Sequence, residues 1–429
     1  MRFGILPLFV SAIVWSVGSG VFMTLQPLRL AAYGMSNEAI GFVLAANMVG
    51  FIVGCLLSQP VIRSVGHIRA YAAFAAITTV CTLALEFTNA LLPWLVLRFA
   101  AGFATAALSV VTESWLNELT TNERRGQTLT LYVLSTGLFY GLGQLAAQEF
   151  EPTGAHMLMI TAALYALSLV PLTAIKVVSP KPPKQVTLHL LFAFKVSPTG
   201  AVGSFATGMI AMTFAGIGPL YGAGVGMDLA TIAFLMAASQ IGGMALQFPL
   251  GWLSDRTDRR YVLVGMHLAL IAVAAGFILL SEASPFWLLV LLFSSFGGFS
   301  EALYPVSVAH ANDRATPEQY VSVSSNLLLF WALGGAIGPL AGTAVIDMAG
   351  PAAFFWYVGV ISFLLGLFTF WRMLRRKRID AETSLEEFQV YPTTSPAVYE
   401  WVPHTPLKTE GKAPAAPPPA PPPASPPAP

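Results

Sequence analysis

Apolar residues run along this chain in long stretches, and polar residues fall almost entirely between them. A bilayer core takes about 20 apolar residues per helix. On that measure the pattern predicts twelve membrane-spanning helices, over residues 5–30, 39–61, 70–88, 91–113, 128–148, 156–176, 200–222, 229–253, 261–281, 285–306, 321–346 and 353–372. The connections are short and hold the punctuation: Gly34-Met35-Ser36-Asn37, Asn89, Pro93, Glu151-Pro152-Thr153-Gly154 and Ser284-Pro285. The first stretch has Arg2 ahead of an apolar run and small residues at Gly18–Gly20, as a signal peptide does. It continues apolar through Val21-Phe22-Met23, so a retained first helix is expected.

The loops alternate in charge. One set holds Arg2, Arg63, Arg69, Arg124, Arg125, Lys181, Lys184, Arg256, Arg259, Arg260, Arg314 and the run Arg375-Arg376-Lys377-Arg378. The other holds Glu38, Glu149, Glu151, Asp228, Glu282 and Asp347, with no Lys or Arg unless Arg29 emerges there. Basic loops stay on the cytoplasmic side. A wrong helix count would break the alternation, so a multi-pass protein of the cell inner (plasma) membrane with both termini cytoplasmic is expected.

Composition agrees. Hydrophobic residues make up 55% and charged residues 10%, against about 25% charged in an ordinary globular domain. Such a chain can cover a lipid-facing surface but not a water-facing one. The net charge of +1 adds nothing, and the scattered basic residues give no nucleic-acid face. Cys55 and Cys81 lie inside apolar runs and offer no disulfide framework. The six histidines show no metal spacing, no phosphate-binding loop occurs, and no water-soluble segment is long enough for a catalytic domain. A non-enzyme without cofactor or metal is expected.

The chain also repeats itself. The stretch 251–263 has the layout of 59–71, an apolar helix end followed by a tight Arg-bearing turn, at an offset of 192. Pro93 and Pro285 differ by the same 192, and the stretches 141–145 and 336–340 by 195. Three landmarks in one register imply two six-helix halves, a plan that places a solute site between the halves near the membrane midplane. The expected organisation is an N-terminal bundle over 1–176, an inter-bundle loop at 177–199, a C-terminal bundle over 200–373, and a charged, then Pro/Ala-rich tail over 374–429, expected to be disordered.

At this point the residues resemble the major facilitator superfamily. Gly251-Trp252-Leu253-Ser254-Asp255-Arg256-Thr257-Asp258-Arg259-Arg260 is similar to that family's G-x-x-x-D-[RK]-x-G-[RK]-[RK] loop, with Asp258 in place of the second glycine. The copy between the second and third spans is degraded, with Gln59 for the first glycine and Arg63 for the aspartate. Arg98-Phe99-Ala100-Ala101-Gly102 is similar to the family's R-x-x-x-G signature. Thr112-Glu113-Ser114-Trp115 and Leu303-Tyr304-Pro305 bring the chain nearest the YcaD-like branch. The resemblance covers residues 5–372 and implies an all-α polytopic fold working by alternating access. Independently of the resemblance, the charges of this loop suit a conformational latch built from Gly251, Asp255, Arg256, Arg259 and Arg260, in which charge pairs hold one bundle arrangement and release in the other; the alternative is that they only set topology. Where the N-terminal copy is degraded, the cation can instead meet Glu113, Glu118 or Glu123.

Ionisable residues at membrane depth are costly and mark function. In the fourth span Arg98, Gly102, Thr105, Ser109 and Thr112/Glu113 recur at steps of three and four, which puts them on one helical face. The tenth span repeats the arrangement with Ser294, Gly298, Glu301 and Pro305. A carboxylate stripped of water in a cavity between the halves can take up and release a proton as the bundle rocks. Glu301, Glu113, Arg98, Gln26, Trp15, Tyr304 and Asn326 are therefore the candidate substrate and proton residues; the alternatives are a structural hydrogen bond for Glu301, a loop arginine for Glu113, and an internal pair or outward snorkelling for Arg98. Asn47, Gln144, Gln240, Thr207, Met212, Tyr221 and Trp331 are further cavity candidates, and each also suits interhelical hydrogen bonding or packing. His267 is expected to be a packing histidine. The expected function is a proton-coupled secondary transporter of a small solute, monomeric in the lipid bilayer. The rival readings are a transporter-derived sensor or scaffold and a membrane-embedded lipid-handling protein.

Overall fold

The computed structural model describes residues 5–121, 124–173, 189–280, 284–375 and 388–400. Among these residues there are helices and no strand. Twelve helices are long and apolar enough to cross a membrane: α1 Leu6–Ala32, α2 Asn37–Val65, α3 His67–Ala84, α4 Leu91–Leu119, α5 Arg125–Ala146, α6 Ala155–Leu167, α7 Pro198–Gly224, α8 Leu229–Arg256, α9 Arg259–Ile278, α10 Phe286–Asn312, α11 Tyr320–Ala349 and α12 Ala353–Arg375. Each of the twelve expected spans coincides with one of these helices. The sixth is extended by a short turn, Val170–Thr173, and a short helix, Leu190–Val196, precedes α7.

Helix ends carry the duplication. Ser36 caps α2, its hydroxyl accepting the Ala39 N–H at 3.2 Å. Asp228 caps α8, its carboxylate accepting the Thr231 N–H at 2.8 Å. The two caps are 192 residues apart, as are Pro27 inside α1 and Pro219 inside α7. Capping hydrogen bonds satisfy backbone N–H groups that the first helical turn leaves free. The Thr231 hydroxyl and backbone N–H also hold the Asp228 carboxyl below the usual range. Gly66 ends α2 at φ 83°, in the left-handed region that favours glycine. Its counterpart 192 residues on, Asp258, has φ −67° and caps α9 with its side chain instead. That explains how the loop does without its second glycine.

The two sets of six pack alike. α1 lies against α5, α2 against α4 and α3 against α6, and α7 against α11, α8 against α10 and α9 against α12. In α2 and α4 the approach is backbone to backbone: a Cβ on Gly102 would overlap the Asn47 carbonyl. Gly102→Ala must therefore part the two helices. Overpacking of this kind costs about 1–3 kcal/mol, so the melting temperature in detergent should fall, and an unchanged value would contradict the contact.

One end of the bundle carries the Arg-rich connections and the start of α1 and end of α12; it is called here the basic end. The opposite, acidic end holds Glu38, Glu149, Glu151, Asp228 and Asp347. Arg29 does lie at that end, buried and bound to Glu86 at 2.5 Å and to the carbonyls of Pro152 and Gly154 at 3.2 and 3.0 Å. The halves meet along α2–α11, α5–α8 and α1–α7. At the acidic end Asn37 donates to Asp347 at 2.7 Å across the seam. Deeper in, Phe51 meets Trp331 edge-on at 6.3 Å, and Gly137 and Gly141 of α5 admit Met244 and Gln240 of α8. The outer surface is studded with exposed Leu92, Val80, Leu268 and Trp287, as a lipid-facing surface requires.

The tail departs from expectation. Residues 376–387 and 401–429 lie outside the described residues, but 388–400 are packed into the basic end of the bundle, with Val390, Tyr391, Ser395, Ala397, Val398 and Tyr399 all buried. Disorder predicted from composition fails over this stretch because five of these six side chains are apolar or aromatic and find a place between the halves.

Candidate functional site

A cavity of about 450 Å³ lies between the halves. Its walls come mainly from α1, α2, α4 and α5 on one side and α7, α8, α10 and α11 on the other, while α9 and α12 contribute nothing. That leaves His267 where a packing residue belongs, buried in α9 beside Gly366 of α12.

The polar stripe read from α4 faces this cavity: Arg98, Gly102, Thr105, Ser109 and Thr112 all line it. From the facing half come Gly297, Ser300, Glu301, Tyr304 and Pro305 of α10. Ser294 and Gly298 of the expected α10 stripe instead abut Gly242 and Leu246 of α8, because that face of α10 is the one pressed against its helix partner. Trp15, Asn47, Gln144, Thr207, Met212, Gln240 and Trp331 also line the cavity. Tyr221 does not, since its ring is held edge-on by Phe355 at 4.8 Å in the aromatic core of the second half.

Three of the candidate substrate and proton residues, Gln26, Asn326 and Glu113, lie elsewhere than expected. Gln26 is fully buried in α1 outside the cavity wall, and its amide nitrogen and oxygen make no hydrogen bond among the described residues. Asn326 is held by backbone: its oxygen accepts the His189 N–H at 2.8 Å and its nitrogen donates to the Ser322 carbonyl at 2.8 Å. A side chain engaged at both ends of its amide secures the helix before α7 to α11 and is not offered to a solute.

Arg98 and Glu301 are the only charged residues lining the cavity among the described residues. They come from opposite halves, and neither has an ion-pair partner among those residues. The Arg98 guanidinium lies over the Phe22 ring at 4.7 Å, a favourable place for a cation. Its Nε is buried without a hydrogen bond. Glu301 has accessible surface, and that surface opens into the cavity. Aromatic side chains fill the walls around them. Trp15 stacks on Tyr165 at 4.1 Å, and Tyr140, Tyr304 and Trp331 line the same cavity. An arginine, a carboxylate and flat apolar faces can together hold a solute that has charge at its ends and an apolar body.

Glu113 is not in the cavity wall. It is completely buried, and its two carboxylate oxygens accept the hydroxyls of Thr394 and Ser395 from the tail. The expected meeting with a loop arginine is replaced by this one. The residues expected to form a latch are joined in a charge network at the basic end of the second half. Arg259 binds Asp255 at 3.1 Å and Asp313 at 2.8 Å, and Arg260 binds Asp258 at 2.6 Å. Arg256 stacks on Trp252 at 4.0 Å, and Gly251 gives room to the ring of Phe388. Asp255 also accepts the Phe388 N–H at 2.9 Å.

The sequence reading missed Phe22, Tyr140, Tyr165 and the tail residues Val390–Thr394, which line the cavity. A signal for α5 was present: Tyr132, Val133, Thr136, Gly137, Tyr140 and Gln144 recur at helical spacing on one face.

Comparison with known proteins places this geometry. A family profile described as Major Facilitator Superfamily matches residues 8–293 and 200–418. The chain is 28% identical over 347 residues to an uncharacterized MFS-type transporter YcaD of Shigella flexneri serotype 5b, spanning 80% of this chain and 89% of that protein. The YcaD of Escherichia coli O139:H28 matches equally, at 28% over 347 residues with 80% and 89% covered. Among solved structures, the nucleoside transporter NupG superposes with a TM-score of 0.72 at 14% identity, covering 88% of this chain and 100% of that one. A D-xylose-proton symporter superposes with a TM-score of 0.66 at 14% identity, covering 85% and 96%. At such identities these structures speak for the fold alone.

Proposed function

Because this chain belongs to the Major Facilitator Superfamily of small-solute transporters, we propose that it carries one amphoteric solute with an aromatic or otherwise flat apolar body, coupled to protons, by alternating access. The observation that carries this reading is the pair Arg98 and Glu301, one from each half, facing one cavity with no ion-pair partner among the described residues. Arg98 receives the anionic end of the solute. Glu301 receives either its cationic end or a proton. Charge at membrane depth is costly and is retained where it does work, and exchange of one cation for the other at Glu301 links solute to proton. The fold neighbour named as a proton symporter is in keeping with this.

In this reading the basic end is cytoplasmic, as the positive-inside rule has it, and the protein works as a monomer in the cell inner membrane. The residues 1–176 and 200–373 act as the two rocking bodies, and the charge network of Asp255, Arg259 and Asp313 is part of the latch between arrangements.

The test uses purified protein. In a thermal-shift screen of zwitterionic, cationic and anionic solutes of similar size, zwitterions should raise the melting temperature most. In vesicles with an imposed pH gradient, the solute so found should accumulate, and a protonophore should abolish the accumulation. Accumulation that survives collapse of the gradient would refute proton coupling.

A further inference from the structure

After the last span the chain turns back into the bundle. Phe388 packs on Gly251 and gives its N–H to Asp255 of the second half. Val390–Thr394 form part of the cavity wall. The Tyr391 hydroxyl accepts from Asn312 at 3.3 Å, and the Tyr399 hydroxyl meets that of Tyr304. Thr394 and Ser395 donate to the two oxygens of Glu113, in the first half. The turn Pro396–Glu400 then sits between α4 and α11. One segment is thus bound to both halves at the basic end, while at the acidic end the halves are joined directly, Asn37 of α2 donating to Asp347 of α11.

Glu113 makes this contact specific. A completely buried carboxylate needs hydrogen-bond partners, and the partners in place are the two tail hydroxyls. The tail in turn buries Tyr391, Val398 and Tyr399 in the same apolar cluster as Phe51, Trp115, Tyr304 and Trp331, drawn from both halves. A segment resting on the surface by chance would not match a buried charge and a cross-half apolar cleft together.

We propose that the basic-end mouth of the cavity is a peptide-binding site whose resident ligand is the chain's own residues 388–400, and that its occupancy arrests the transport cycle. The segment acts twice. It closes the basic-end route between the cavity and the exterior. It also fills the space into which α4 and α11 must move when that end shuts and the acidic end opens. The term cycle rests on the transport reading above, but occupancy of the mouth does not.

The test is therefore one that needs no solute. Ser109, in the cavity wall, is replaced by Cys in a chain with Cys55→Ala and Cys81→Ala, and the thiol is labelled by a charged maleimide in detergent. A chain ending at residue 387 should label at least about tenfold faster than the full chain, the lower range of a coupling between sites. Synthetic peptide 388–400 added to the shortened chain should restore the slow rate. Ser395→Glu, which sets a second carboxylate against Glu113, should speed labelling with every residue still present, and it serves if the shortened chain fails to fold. Equal labelling with and without the segment, or Ser395→Glu labelling at the unaltered rate, would overturn the proposal. In vesicles the shortened chain should also turn over several-fold faster once a solute is known. Failure of transport alone would leave the labelling result standing.

Discussion

Glu301→Gln should abolish uphill accumulation driven by a pH gradient while leaving solute exchange at equal pH on both sides. Glutamine keeps the shape and the carbonyl acceptor of the carboxyl but cannot alternate between a charged and a neutral form. Glu301 is the only carboxylate in the cavity wall among the described residues, so no neighbour there can take over. Loss of coupling removes the driving force, so the accumulation ratio should fall to about one, from the roughly tenfold per pH unit (about 1.4 kcal/mol) that one-for-one coupling to a proton sustains. Arg98→Met should differ in kind, weakening solute binding without uncoupling what still moves. The measurement is paired: accumulation under a gradient, and counterflow without one. Full accumulation by Glu301→Gln would show that the proton travels by another group.

Arg259→Met should be the most destabilising single change at the basic end. Its guanidinium is 3% exposed and is shared by Asp255, Asp313 and the Ser254 hydroxyl. The Asp313 side chain is itself only 5% exposed. Removing one member of a buried charge cluster costs about 3–5 kcal/mol, because the remaining charge stays desolvated. Arg259→Met/Asp313→Asn should recover part of the loss by removing the stranded charge. Thermal unfolding in detergent reads both, with Arg260→Met as the comparison, since the ion pair of Arg260 is local, to Asp258 two residues before it. An Arg259→Met melting temperature above that of Arg260→Met would show that the network is not the anchor it resembles. The same substitution should loosen Phe388, whose N–H rests on Asp255.

Much of this architecture is written in local chemistry. A span must be apolar over the thickness of a bilayer, so all twelve helices can be read from the sequence. The duplication was legible for the same reason, and the caps Ser36 and Asp228 extend it to single residues. The stripe on α4 was legible because a helix face is set by a period of 3.6 residues, whatever it packs against. Long-range pairing was not. Asn326 and Thr105 are both polar residues in apolar helices, and only the backbone beside Asn326, contributed by His189, distinguishes a brace from a cavity wall. The partner of Glu113 lies 281 residues away in a tail whose overall composition suggests solvent. The hint was the presence of Phe388, Tyr391, Val398 and Tyr399, since large apolar side chains have no reason to stay in water.

Only twelve residues, 376–387, join the end of α12 at Arg375 to Phe388. A tether so short sets an effective concentration of the segment at its own mouth on the order of millimolar. A freely diffusing competitor at micromolar levels would be outnumbered there about a thousandfold by the same comparison. Displacement from the basic-end side by mass action is therefore a poor way to free this mouth. A grip on the tail itself would do so at a far lower dose.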